Sequence, residues 1–275
     1  MNDSVCDDFP DGMIWLVGAG PGDPELLTRK AERLIRQATV VFHDALVGQG
    51  VLALIPRGTR LVHVGKRSGR HCRDQKTIDR LIVDAALGGE RVVRLKGGDP
   101  SIFGRSTEEI DAARAAGIAV AVCPGVTAAS AAAAGLGLSL TLRGHARKLV
   151  LVTAHARAGE PLVLDWQALA DPDATLAVYM GKAAAADVSR NLIAAGMPAH
   201  TPVALVESAS LPQERQFHTR LDLLPLAART ALGDGPALVL IGGAMAPRDG
   251  ALQDRQGAVA QSRAAAPEEG FARQG

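Results

Sequence analysis

The sequence predicts an α/β fold, and three observations carry that prediction. Short apolar or β-branched runs alternate with amphipathic helical stretches along most of the chain. Glycine-rich breaks follow several of the runs, as in Gly18-Ala-Gly-Pro-Gly22 and Lys96-Gly-Gly-Asp-Pro100. The helical stretches carry their own punctuation, with capping residues at their starts and glycine at their ends.

The first strand is expected at Met13–Val17. A helix follows the glycine break, with Asp23 as cap, Pro24 in the first turn, and Leu26, Leu27, Leu34 and Ile35 on one face. Thr39–Phe42 and Leu61–Val64 are the next strands. Ile78, Leu81, Ile82 and Ala85 then mark a helix that ends at Gly88-Gly89. Strand Val92–Leu95 runs into the loop Lys96–Pro100. Ser106 and Glu109 have the spacing of a capping box for a helix closed by Gly117. Strand Ile118–Val122 meets Pro124-Gly125 and an alanine-rich helix.

The second half alternates less regularly. Its strands are expected at Leu149–Thr153, Thr175–Met180, Val203–Glu207 and Ala237–Ile241, with a helix near Ala183–Ala195 ended by Gly196. The domain boundary falls in the glycine-dotted stretch Leu138–Lys148. Residues 1–12 are expected as a flexible leader, 13–140 as an N-terminal α/β domain and 141–246 as a C-terminal α/β domain. Residues 247–275 lack apolar periodicity and are expected as a disordered tail.

Composition narrows the function classes. A net charge of +1 and 3% aromatic residues argue against nucleic-acid binding, which needs basic fields and stacking faces. The acidic start, with Asp3, Asp7, Asp8 and Asp11, is unlike a signal peptide, and no apolar run is long enough to span a bilayer. Cys6, Cys72 and Cys123 form no CxxC pair, and His63 with His71-Cys72 matches no common metal site. A cytoplasmic protein without a bound metal is expected.

Gly18-x-Gly20 invites a dinucleotide reading, but Asp23 stands where the third glycine of that fingerprint belongs. The Lys96–Pro100 loop is more telling. Adjacent glycines bare the backbone to a ligand at the carboxyl end of a strand, and Asp99 offers a fixed acceptor for a hydroxyl or amino group.

Taken in order, the motifs resemble the tetrapyrrole methylase family. They are Val17-Gly-Ala-Gly-Pro-Gly-Asp-Pro24, His43-Asp-Ala-Leu-Val47, Gly65-Lys-Arg67 and Val93-Arg-Leu-Lys-Gly-Gly-Asp-Pro100. Phe103-Gly-Arg105 with Glu108-Glu109, Pro124-Gly-Val-Thr-Ala-Ala129 and Tyr179-Met-Gly181 follow. The similarity runs from about Trp15 to Gly243, and the Arg94–Glu109 stretch points to members that act on uroporphyrinogen III.

The resemblance implies the two-domain class III fold of methyltransferases that use S-adenosylmethionine (SAM), with the active site in the interdomain cleft and a homodimeric assembly. It implies two methylations, at carbons 2 and 7, yielding precorrin-2 for sirohaem, cobalamin or haem d1. Cofactor contacts are implied at Pro21, Gly97, Gly98, Asp99, Ile102, Thr127, Ala128, Met180 and Ala209. Ala209 replaces a glycine of some relatives, so a contact there requires a negative φ. Ser106-Thr107, Leu142 and Ala154 also depart from the usual pattern.

Methyl transfer to an electron-rich pyrrole carbon needs alignment, exclusion of water and removal of one proton. Asp44, after an apolar strand, is the candidate acceptor, and Lys66 a candidate donor. Arg105 and Glu108 complete the expected catalytic set. A carboxylate-rich substrate calls for fixed cations, drawn from Arg67 and Arg143 beside Lys96, Arg70 and Arg147. An NAD-dependent oxidoreductase and a non-catalytic ligand-binding relative are the rival classes.

Overall fold

A computed structural model describes residues 9–65, 75–155 and 162–247 of the chain. The first half builds one sheet from β1 (Ile14–Gly18), β2 (Val40–His43), β3 (Arg60–His63), β4 (Val92–Lys96) and β5 (Val120–Cys123). Helices α1 (Arg29–Gln37), α2 (Gln49–Leu52), α3 (Gln75–Leu87) and α4 (Ser106–Ala115) connect them. The strand order is β3-β2-β4-β1-β5, and every pairing is parallel.

Central strands β1 and β4 are buried at every position, as strands covered on both faces must be. Residues of α1 and α2 pack on one face with Trp15, Val17 and Val41. Those of α3 and α4 pack on the other with Ile14, Leu16 and Phe42. The chain therefore leaves neighbouring strands β1 and β4 toward opposite faces. That divergence opens a crevice at their carboxyl ends, where open α/β sheets take ligands.

Helix α5 (Ala128–Leu136) follows β5 but does not return to this sheet. Its Ala129, Ala132 and Leu136 pack with Ala177, Val206 and Leu238 of the second sheet. That sheet contains β6 (Lys148–Thr153), β7 (Ala174–Tyr179), β8 (Pro202–Glu207), β9 (Arg215–Arg220) and β10 (Ala237–Ile241). Helices α6 (Trp166–Leu169), α7 (Ala185–Ala194) and α8 (Leu224–Thr230) accompany them. The order is β6-β7-β10-β8-β9, parallel only between β6 and β7. Small alanine side chains let α5 approach one face closely, while Val188 and Leu192 of α7 and Leu224 of α8 seal the other.

Every strand expected from the sequence is present to within two residues, and β9 is an addition. Two helix starts differ. Asp23 caps only a 3-10 turn, Pro24–Leu26, and α1 begins after Thr28, whose Oγ1 accepts the Ala31 N–H at 3.1 Å. The Leu26–Ile35 face is therefore split, with Leu26 packing against the second sheet and Leu34 against the first. The expected capping box at Ser106 is absent: Ser106 lies inside α4 and Glu109 is drawn into the interior. The end of the expected leader is packed rather than loose, since the Phe9 side chain is buried against the first sheet. Residues 1–8 and 248–275 lie outside the described residues.

Candidate active site

The crevice is built from backbone brought into contact. Ala19 N–H donates to Lys96 O at 2.8 Å, and Gly20 and Gly98 exchange hydrogen bonds in both directions, at 3.2 and 2.6 Å. A Cβ on Gly18 would stand 2.6 Å from Gly125 Cα, and one on Gly125 would stand 2.3 Å from Gly98 O. Only glycine permits the loops after β1, β4 and β5 to meet so closely. The Asp99 carboxylate ties them further, accepting Ser101 N–H at 2.7 Å and Gly125 N–H at 2.9 Å. The sequence reading made Asp99 an acceptor for a ligand hydroxyl or amino group; its bonds here go to backbone.

Above this junction lies a cavity of about 980 Å³ with walls from both sheets. Pro21, Gly97, Gly98, Asp99 and Ile102 line it from the first. Thr127 and Ala128 line it from the start of α5, and Met180 and Ala209 from the second sheet. All nine positions that the resemblance assigns to the cofactor thus face one space.

The two walls are fastened across the cleft. Tyr179 Oη meets Thr127 Oγ1 at 2.5 Å and accepts Ala129 N–H at 3.2 Å, and its ring lies 5.0 Å from that of Phe103. Asp23 N–H donates to Ser210 Oγ at 3.1 Å. Left-handed backbone clusters on this rim, at Phe103, Arg105, Met180, Ser208 and Ser210, with φ between 52° and 66°. Such concentrations of strain accompany ligand clamps. Ala209 lies between the two left-handed serines but does not itself take a positive φ, so its side chain is accommodated.

The floor carries charge. Asp44 Oδ1 accepts Leu46 N–H at 2.9 Å, and Oδ2 lies 3.6 Å from Arg94 Nη2. Arg94 Nε donates to Glu109 Oε1 at 2.9 Å, and Lys96 Nζ to Glu109 Oε2 at 2.6 Å. Asp44, Arg94 and Lys96 line the cavity, whereas Glu109 lies behind it, 0% exposed. Burial, reinforced by the Arg94 charge, pulls the Lys96 ammonium below its ordinary range, while Glu109 opposes that shift. Burial likewise lowers His43, whose Nδ1 faces the Asp44 carbonyl at 3.1 Å.

Arg105 also lines the cavity and forms a two-bond pair with Glu108, at 2.8 and 2.7 Å. That pairing holds the Glu108 carboxyl below its usual range and raises Arg105. Both side chains are well exposed, so the pair adds little to stability. Glu108 reaches the site only through Arg105.

Arg143 is not brought to the site. It is exposed on the turn bridged by Leu142 and Ala146, beyond the cavity lining, because the chain folds back there before β6. Lys66, Arg67 and Arg70 lie outside the described residues. Sequence reasoning missed Arg94, Glu109 and Lys182, which lines the second wall and donates to Gly233 O. The available signal for Arg94 was a lone charge within the apolar run Val92–Leu95.

Comparison with known proteins places this geometry among relatives. The profile of the tetrapyrrole (corrin/porphyrin) methylases matches residues 13–225. A uroporphyrinogen-III C-methyltransferase of Paracoccus denitrificans is 49% identical over 232 residues, covering 84% of this chain and 80% of that protein. A siroheme synthase of Nitrosococcus oceani is 46% identical over 235 residues, and the chain spans 50% of its length. Among solved structures, the uroporphyrin-III C-methyltransferase of Thermus thermophilus in complex with S-adenosylhomocysteine (SAH) superposes with a TM-score of 0.72 at 40% identity. That match covers 84% of this chain and 97% of the other. By sequence match and fold, the chain belongs to the tetrapyrrole methylase family.

Proposed function

We propose that the chain is a SAM-dependent C-methyltransferase that methylates uroporphyrinogen III at carbons 2 and 7 to give precorrin-2, for sirohaem, cobalamin or haem d1. The observation that carries this reading is a cavity between the sheets lined by every position the family resemblance assigns to SAM. The same reading divides the chain into domains at 13–140 and 141–246, with α5 as a strut between them. It also places the protein in the cytoplasm as a homodimer. No helix among the described residues is long and apolar enough to cross a membrane.

The residues present fit SAM. Gly98, at φ +70°, has nothing within 4 Å where a Cβ would stand, so the main chain is open to a close-lying ligand. Bound there, SAM supplies an electrophilic methyl group on a positively charged sulfur. Carbons 2 and 7 already bear a side chain and hold no hydrogen, so the proton lost after each methylation leaves another position of the macrocycle. Asp44 is assigned to accept it, with Leu46 N–H and Arg94 fixing the carboxylate. Phe103 and Tyr179, with rings 5.0 Å apart, give the cavity wall an aromatic surface. Arg105, with Lys66 and Arg67, is assigned to the substrate carboxylates.

Anaerobic incubation with SAM and uroporphyrinogen III, followed by mass and absorption, tests the proposal. A mass gain of two methyl groups is expected. No gain, with methylation of a later corrin precursor instead, would move the enzyme to another step.

Two variants test the assignments within the site. Gly98→Ala is expected to fold at a cost of about 1–2 kcal/mol, the penalty of a left-handed L-residue, and to weaken SAH binding because the new methyl enters the cradle. Calorimetric titration showing unchanged SAH affinity would place the ligand elsewhere. Arg105→Lys keeps the charge but loses the planar fork. It is expected to bind SAH normally and to lose at least about tenfold in kcat/KM, roughly 1.4 kcal/mol of transition-state stabilisation. Full activity would remove Arg105 from the substrate side.

A further inference from the structure

Glu109 occupies an unusual place in this site. It sits on α4 with no exposed surface, and it does not reach the cavity. A carboxylate sealed from water is costly, and apolar residues of similar volume are often more stabilising. Here both of its oxygens are committed, one to Arg94 and one to Lys96, and both partners do reach the cavity. A buried acid whose two ion pairs both go to cavity-lining cations fixes their placement.

We infer that Glu109 is a positioning residue that fixes the Arg94 guanidinium and the Lys96 ammonium on the cavity floor, where Lys96 meets a carboxylate of the anionic tetrapyrrole. The substrate half of this inference rests on the function proposed above. An ammonium carries three donors, and Glu109 takes one of them at 2.6 Å. Gly104 lies beside the stem of that side chain, the position of a Cβ there being 3.2 Å from Lys96 Cε. The Glu109 bond thus sets the direction of the ammonium.

The charged groups around Lys96 set the sign of the expected pH effect. Arg94 on β4 opposes its protonation; Glu109 on α4 and Asp44 after β2 favour it. Glu108 lies farther out on α4, paired with Arg105. From α3, Gln75 donates to Asp79 at 2.8 Å and approaches Glu109 at 3.5 Å. Removing the Glu109 charge therefore leaves burial and Arg94 less opposed, and Lys96 loses its proton at lower pH.

The test uses Glu109→Gln, which keeps shape and removes charge. In protein carrying 13C at lysine Cε, the resonance of Lys96 is followed against pH, identified by its absence in Lys96→Met. The other lysines are Lys30, Lys66, Lys76, Lys148 and Lys182. The Lys96 midpoint is expected to fall by at least about one pH unit in Glu109→Gln, the effect of losing an adjacent opposite charge.

In parallel, binding of uroporphyrin III, the oxidised and non-nucleophilic tetrapyrrole, is measured by absorption. Its affinity should decline on the alkaline side as Lys96 titrates, decline earlier in Glu109→Gln, and lack that step in Lys96→Met. An unchanged Lys96 midpoint in folded Glu109→Gln overturns the inference, as does an alkaline step that survives Lys96→Met. Should Glu109→Gln fail to fold, Lys96→Met/Glu109→Gln removes both charges of the pair. It must then bind SAH and show the Lys96→Met profile, and a wild-type step there refutes the inference. Failure of the wild type to methylate uroporphyrinogen III would instead sink the functional reading, leaving the Lys96 midpoint to decide this one.

Discussion

Asp44→Asn is expected to lower the turnover of uroporphyrinogen III by at least about a hundredfold, the lower bound for removing a positioned general base. The substitution is nearly isosteric. Its amide oxygen can still accept the Leu46 N–H that Asp44 Oδ1 now takes at 2.9 Å. Arg94 keeps its stronger partner, since the Glu109 contact at 2.9 Å is closer than the Asp44 contact at 3.6 Å. The fold and SAH affinity should therefore persist, and the loss should fall on kcat rather than on KM. Single-turnover measurement separates the two. Retention of wild-type kcat would show that water or another group takes the proton.

Gly125→Ala is expected to be among the most damaging single-methyl changes at the described glycines. Its Cβ would stand 2.3 Å from Gly98 O and 2.9 Å from Gly18 Cα, so backbone rather than a flexible side chain must yield. Relief requires the β1 and β4 loops to part. That movement strains the reciprocal Gly20–Gly98 bonds and the Asp99 bond to Gly125 N–H. A cost of roughly 3 kcal/mol is expected, the upper end for overpacking a tight site. For a protein of this size that lowers Tm by roughly 6–12 °C. SAH binding should weaken in step, because the displaced loops are the cradle. A variant with normal Tm and SAH affinity would mean that the three loops do not meet as described.

These two positions show how unevenly the sequence revealed the site. Gly125 and Asp44 stand in short motifs at strand ends, where residue type announces a need for close approach or for a charge. The fold was similarly legible: β1 and β10 are apolar runs whose burial follows from composition alone. Strand β9 was not, because Arg-Gln-Phe-His-Thr-Arg lies on a sheet edge with exposed side chains and lacks apolar alternation.

Glu109 was misread for a different reason. Its spacing from Ser106 fits a cap, and only the long-range approach of Arg94 and Lys96 turns its side chain inward. Arg143 shows the converse: expected as a substrate cation, it stands exposed on the turn before β6, outside the cavity lining.

Helix α5 gives the cleft an indirect reach. Its start supplies Thr127 and Ala128 to the cavity, while its body lies among Ala177, Val206 and Leu238 of the second sheet. A ligand that immobilises the first turn therefore also restrains a rod packed along three strands. The slowest-opening amides of β7, β8 and β10 become distant reporters of occupancy, although most of them never face the ligand. Cohesion of that half of the molecule and loading of the cleft rise and fall together.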